Sequence, residues 1–328
     1  MTRPPIDEPP ARPQGARLAV GDLVLICALA VAFAVMSQLS SAFLSARNLF
    51  EVTRFSAEIG FIALGMTLII VTGGIDLSVG AVLGLSGIVL GLLSSLGANV
   101  WVASLAGVGV GALCGALNGL LVARVGIPPL IVTLATLAVF SGLSLGLSQG
   151  RSFGDYPPDF AALGQGYVGP VPVQLIVLVV AAVAVGLLLH RHALGRLVYA
   201  LGNNATAVRF SGAPVGAVLV IVYTLSGLLA GVAGIVYTAR LSSARADAGA
   251  GFELDAITAV VLGGTAIMGG SGSVLGTMLG LLLVGVIRNG MTLAFVPTEQ
   301  QDIVLGAILI VAVLFNQLVR ARRGQARA

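Results

Sequence analysis

The segment Val71-Thr-Gly-Gly-Ile-Asp-Leu-Ser-Val-Gly80 sets a carboxylate, two hydroxyls and two adjacent glycines inside a long apolar stretch. A carboxylate in that setting has two chemical uses. Asp76 can line a polar path for a solute or a proton, or its oxygens can take free N–H groups at the start of the helix that follows. An ionised aspartate at the centre of a bilayer costs about 3 kcal/mol or more, whereas one in a surface turn costs almost nothing. Both uses remain open on these residues alone.

The other polar residues within apolar segments are Glu58, Thr67, Thr72, Asn118, Thr133, Thr136 and Asn289. Each has a plain alternative in helix packing or in bonding to backbone carbonyls. The residues selected for a transport path are Glu58, Thr72, Gly73, Gly74, Asp76, Ser78, Asn118, Thr133, Gly269 and Gly270.

Several chemistries are excluded or disfavoured. The chain has no lysine, so it carries no Walker-type nucleotide site, and no bound cofactor is expected. His190 and His192 flank Arg191 with no cysteine or carboxylate near them in sequence, which suits interfacial anchoring rather than a metal site. Cys27 and Cys114 lie in apolar segments, where they read as buried spectators rather than a disulfide.

The elements that must position these residues follow from composition. Of the 328 residues 57% are hydrophobic and 9% charged, 45 are glycine, and the mean hydropathy is +1.05. That is the profile of an all-α, polytopic membrane helix bundle. The basicity, a formal charge of +4, reads as membrane topology rather than nucleic-acid binding. The proline-rich start is followed by a retained span, not a cleaved signal peptide.

At about 20 apolar residues per crossing, spans fall near 19–40, 55–73, 77–96, 99–123, 129–148, 172–190, 214–239, 254–269, 273–293 and 301–319. This gives about ten helices in one permeating domain, 19–319, with tails at 1–18 and 320–328. Placing both termini in the cytoplasm puts eleven of the 17 arginines on that side and six on the other, which favours this orientation.

Glycines mark how the bundle packs and breaks. Gly107, Gly111, Gly115 and Gly119, four residues apart, lie along one side of a helix and permit close approach of a neighbour. The stretch from Glu253 to Gly280 resembles that from Glu58 to Gly84, since in both an acid opens the span and a Gly-Gly break follows about 15 residues later. Breaks at membrane depth must face protein or a water-filled cavity, because lipid satisfies no free backbone group. An ordinary short loop at the cytoplasmic surface is the alternative.

Two connections are long. The external one, Gly150 to Val171, is either a docking surface or a lid. In the internal one, 191–213, Asn203 or Asn204 can cap a short helix over Ala205–Ser211 that Gly212 and Pro214 stop. A helix so short is not stable alone, so it docks on its own bundle or on a partner.

Three separated motifs, TGGIDLSVG, GRLVYALGNNATAVRFSG and DAITAVVLGGTAIMGGSGSVLGT, resemble in sequence and order those of ribose-type ABC transporter permeases, over about residues 45–315. The resemblance implies the non-enzymatic permease subunit of an ATP-driven importer in the bacterial inner membrane. Its implied partners are a second permease subunit, a cytoplasmic ABC ATPase, an extracytoplasmic sugar-binding protein and membrane lipid, with no nucleic acid. It further implies that Gly202, Asn203, Asn204, Ala207, Val208, Arg209, Phe210 and Gly212 form the coupling helix seated on the ATPase. Ala205 stands where the family often has an acid, so an ionic contact at that point is not implied. Other cargoes, a nucleoside or a branched-chain amino acid, remain alternatives, as does a secondary transporter in which Glu58 or Asp76 carries a proton.

Overall fold

The computed structural model describes residues 20–325, with side chains from 23 to 314. The expected tail 1–18 and the last three residues of 320–328 lie outside the described residues. The regular structure of the described chain is helical apart from one hairpin of two-residue strands. In order it forms α1 (Val20–Leu39), α2 (Ala46–Phe55), α3 (Ala57–Val71), α4 (Val79–Ser95), α5 (Val100–Leu120, extended by a π turn Leu121–Val125), α6 (Pro129–Ser148) and α7 (Pro158–Gln165). Then follow β1 (Tyr167–Val168), β2 (Val171–Pro172), α8 (Val173–Arg191), α9 (Ala193–Asn203), α10 (Ala205–Phe210), α11 (Val215–Leu241), α12 (Phe252–Leu262), α13 (Val274–Leu293) and α14 (Thr298–Gln325).

Every residue of α3 is buried, so this helix is the axis of the bundle. Around it pack α8, α11, α12 and α13. Within this shell Thr67 Oγ1 on α3 lies 2.7 Å from Thr277 Oγ1 on α13, and Asn48 and Asn289 exchange amide hydrogen bonds at 2.8 and 2.9 Å. Thr136 donates to the Val132 carbonyl of its own helix. These three polar positions therefore join helices or satisfy backbone.

The glycine ladder of α5 lies against α11, with its first rung reaching α4. A methyl group added at Gly119 would fall 2.8 Å from Val220 Cα, and one at Gly107 would fall 2.6 Å from the Ser86 carbonyl. Only glycine admits backbones this close.

Among the described residues five helices are long and apolar enough to cross a membrane, and α2 with α3, bent by 46° at Ser56, is apolar and long enough to count as a sixth if the pair is one span. Leu23–Leu39 and α4 are shorter apolar helices. Eight of the ten expected spans coincide with helices to within two residues, and the last lies within the longer α14.

The span expected at 254–269 is corrected. Its helix ends at Leu262, because Gly264, Gly269 and Gly270 take φ of +83°, +86° and +81°, and residues 263–273 form a turn instead. The preceding connection, 242–251, lies between the expected spans, is non-helical, and packs Gly249 against Gly80 of α4.

Three smaller corrections follow. Cys27 is exposed rather than buried, since α1 packs on one side only, against α13; Cys114 is buried. The connection 150–171 is not a plain loop but holds α7 and the β1–β2 hairpin, and 191–213 holds α9 as well as the short helix.

Candidate functional site

The end of α9 meets both glycine breaks. Asn203 Nδ2 donates to the Gly270 carbonyl at 3.1 Å and to the Tyr199 carbonyl at 2.8 Å. The Gly270 N–H in turn donates to the Val71 carbonyl at 2.9 Å, and Tyr199 Oη donates to the Gly272 carbonyl at 2.8 Å. A methyl group at Gly269 would fall 2.8 Å from Gly73 N and 3.0 Å from Gly202 Cα, so the two breaks touch each other and Gly202 at one point. Gly73 and Gly269, both at φ +86°, hold backbone conformations that a side chain would strain.

From this junction α10 projects into the open. Asn204 Oδ1 accepts the Ala207 N–H at 2.9 Å, capping the helix, and Gly212 at φ +80° follows its end. Residues 203–212 are exposed apart from the half-buried Val208, and Phe210 keeps 88% of its surface accessible. Beside the junction, the turn 263–273 presents Met268 with 77% of its surface accessible. Phe210 and Met268 are thus large apolar side chains left uncovered beside a capped helix.

A second cluster surrounds Asp76, which is buried. Its Oδ1 accepts the Ser78 N–H at 2.8 Å and the Ser78 hydroxyl at 2.7 Å, while Asn118 Nδ2 donates to Ser78 Oγ at 2.8 Å. Ser78, not Asp76, is the N-cap residue of α4. Asp76 thus braces the cap from two residues upstream, a shift from the expectation that it caps the helix itself. Thr133 donates to the Ile75 carbonyl at 3.4 Å, tying α6 to the same turn, and Thr72 donates to Ile69 O at 2.7 Å. Asn118 Oδ1 and Tyr223 Oη are buried with no hydrogen-bond partner among the described residues.

Glu58 stands apart from both clusters. It opens α3, whereas Val71 closes it, about 20 Å away at 1.5 Å per residue. Its carboxylate accepts a hydrogen bond from Arg240 Nε at 2.6 Å, and the Arg240 guanidinium lies 5.1 Å from the Phe55 ring and 5.2 Å from that of Tyr237. The ion pair and the two rings fix the α10-distal end of α3 to α11.

Sequence reading missed a cavity of about 620 Å³ between α6, the start of α4, the chain after Gly150 and residues 245–253. Its lining includes Gly80, Ser141, Arg151, Arg245, Asp247 and Glu253. Ser144 donates to the Ala246 carbonyl at 3.4 Å, and Phe153 and Ala244 exchange backbone hydrogen bonds at 3.0 and 2.8 Å, which brace two walls. At the rim Arg245 binds Asp247 through two hydrogen bonds, at 3.0 and 2.8 Å, and holds the exposed Asp247 carboxyl below the usual carboxylate range. The lining residues come from three separated stretches, 80–81, 137–152 and 245–253, so no spacing rule joins them. The only signal was that Arg151, Arg245, Asp247 and Glu253 are charges in a chain that has few.

Comparison with known proteins gives concordant results. A family model described as the permease component of the branched-chain amino acid transport system matches residues 48–313. The chain is 40% identical over 295 residues to the ribose import permease protein of Escherichia coli (strain K12), covering 89% of this chain and 92% of that one. It is 42% identical over 286 residues to the ribose import permease protein of Bacillus subtilis (strain 168), covering 86% and 88%. It is 38% identical over 293 residues to the D-allose transport system permease protein of Escherichia coli (strain K12), covering 89% and 90%. No solved structure matches.

Proposed function

The chain belongs to the family of ABC importer permease components, and from that premise we propose that it passes a monosaccharide across the membrane, driven through α10 by ATP hydrolysis in a separate subunit. As a family member it is a multi-pass membrane protein that catalyses no reaction of its own and works with an ATPase and a binding protein. The monosaccharide class rests on the relatives that import ribose and allose.

One observation carries the coupling. Gly202 and Asn203, at the root of the exposed α10, touch both glycine breaks at once. Force applied to Ala207, Val208, Arg209 and Phe210 by the ATPase therefore reaches Gly73, Gly74, Gly269 and Gly270 through one hydrogen bond and direct backbone contact. The breaks are the points where α3–α4 and α12–α13 have no helical bonds to oppose bending. Asp76, Ser78, Asn118 and Thr133 hold the turn between α3 and α4 in register as it moves.

In this reading the α10 end is cytoplasmic, in accord with the eleven-to-six distribution of arginines. A second permease subunit completes the path, and the binding protein delivers cargo at the opposite end. The family model's description favours a second cargo class, branched-chain amino acids. A proton-coupled carrier fares worse, because Glu58 is held by Arg240.

The test is uptake of labelled D-ribose, D-allose and leucine into proteoliposomes holding the complete complex. Sugar uptake that requires ATP, the ATPase and the binding protein is expected. Uptake by the chain alone down a proton gradient would contradict the assignment, and uptake of leucine without either sugar would replace the cargo.

A further inference from the structure

The 620 Å³ cavity lies at the α10-distal side of the Asp76 turn and is not used by the coupling junction. Its α4 wall is built around one side chain. Glu253 Oε2 lies 2.5 Å from where a methyl group on Gly80 would sit, so the first turn of α4 leaves room for that carboxyl only because residue 80 is glycine. The carboxyl thereby lines the cavity against the first turn of α4.

The lining balances its charges. Arg151 and Arg245 oppose Asp247 and Glu253, and Ser141 adds a hydroxyl from α6. With two arginines and two acids the lining carries no net charge, so it offers no excess charge to a simple anion or cation. An uncharged solute rich in hydroxyls needs donors and acceptors side by side, which the lining does offer. The lining contains no aromatic ring, so the stacking face that makes sugar sites tight is missing and any complex is weak. Weak binding suits a site that must release its ligand onward.

Resting on the sugar-importer reading, we propose that this cavity is a transient binding site for an uncharged monosaccharide within the permease itself, with Glu253 and Ser141 as the residues that discriminate among hydroxyl patterns. Glu253 accepts hydrogen bonds from the hydroxyls of the sugar on the α4 side, and Ser141 contacts it from the α6 wall. The permease thus exerts a second selection after the binding protein has made the first.

The experiment uses the complete complex in proteoliposomes with D-ribose and D-allose as competing labelled probes. Glu253→Gln and Ser141→Leu are each compared with the parent, and co-purification of the ATPase identifies a folded variant. The expected result is a fall of about tenfold in sugar uptake for Glu253→Gln, the scale of one hydrogen bond to a charged group. A changed ribose-to-allose ratio is expected in both variants. An unchanged ratio in both, whatever happens to the rate, overturns the proposal, because a site that selects must alter selection when altered. If the parent moves leucine and neither sugar, the cargo reading fails and this site assignment with it. If the parent moves sugar and the variants keep its ratio, the site assignment alone fails.

Discussion

The side-chain amide of Asn203 donates to the carbonyl of Gly270 at 3.1 Å, joining the root of the exposed helix α10 to the glycine break after α12, 67 residues later. The Gly270 N–H continues the link to Val71, the last residue of the central helix α3, at 2.9 Å. Three segments of the chain therefore share one small contact, and motion of any one must displace the other two or break these bonds.

Arg209 is exposed on α10 and takes no part in the junction. Arg209→Glu is expected to leave the permease inserted and folded while abolishing stimulation of ATP hydrolysis by loaded binding protein. Measuring that stimulation in the reconstituted complex checks it, and full stimulation would remove α10 from the coupling role.

Gly119 has no room for a side chain, whereas nothing lies within 4 Å of a methyl group at Gly109 on the same helix. Gly119→Val is expected to destabilise the bundle by about 1–3 kcal/mol through forced separation of α5 and α11. Gly109→Ala is expected to leave the unfolding midpoint unchanged or slightly raised, since alanine is the better helix former. Thermal unfolding of the two purified variants in one detergent separates these outcomes.

The Glu58–Arg240 pair is buried on the carboxylate side, so losing one partner is worse than losing both. Removal of either charge alone is expected to cost about 3–5 kcal/mol, and the double variant Glu58→Gln, Arg240→Gln to recover most of that loss. A double-mutant cycle on unfolding checks the coupling. Additive losses would mean that the 2.6 Å contact contributes nothing.

Asp76 gives opposite expectations for its two uses. As a brace for Ser78, it needs one acceptor oxygen, so Asp76→Asn should retain near-parental uptake and Asp76→Ala should lose stability by about 1–2 kcal/mol, as lost caps do. If Asp76 instead carries a proton, Asp76→Asn should stop uptake outright. Uptake by the asparagine variant decides between them.

Much of the bundle was legible because membrane spans announce themselves by length and apolarity. Pro129 at the first helical turn gave α6 its start, and Asn204 with Gly212 bounded α10. The break after Leu262 was harder to place, since Thr265, Ala266, Ile267 and Met268 continue the apolar run while the glycines around them turn the chain. The packed glycine pair Gly80 and Gly249 and the placing of the Glu253 carboxyl beside them were beyond reach for a different reason. Their meeting depends on how non-helical residues 242–251 fold back against α4, and no periodicity records that.

Asn203→Leu removes the amide that links α10 to Gly270 and leaves Ala207, Val208, Arg209 and Phe210 unchanged. The decisive measurement is ATP hydrolysis by the complete reconstituted complex carrying this variant, with and without sugar-loaded binding protein. If the junction transmits the coupling, stimulation by the loaded binding protein falls about fivefold, the worth of one hydrogen bond of about 1 kcal/mol, while the ATPase still co-purifies at the parental ratio. Parental stimulation in the asparagine-free junction would contradict the assignment of Asn203 and Gly270 as the coupling link.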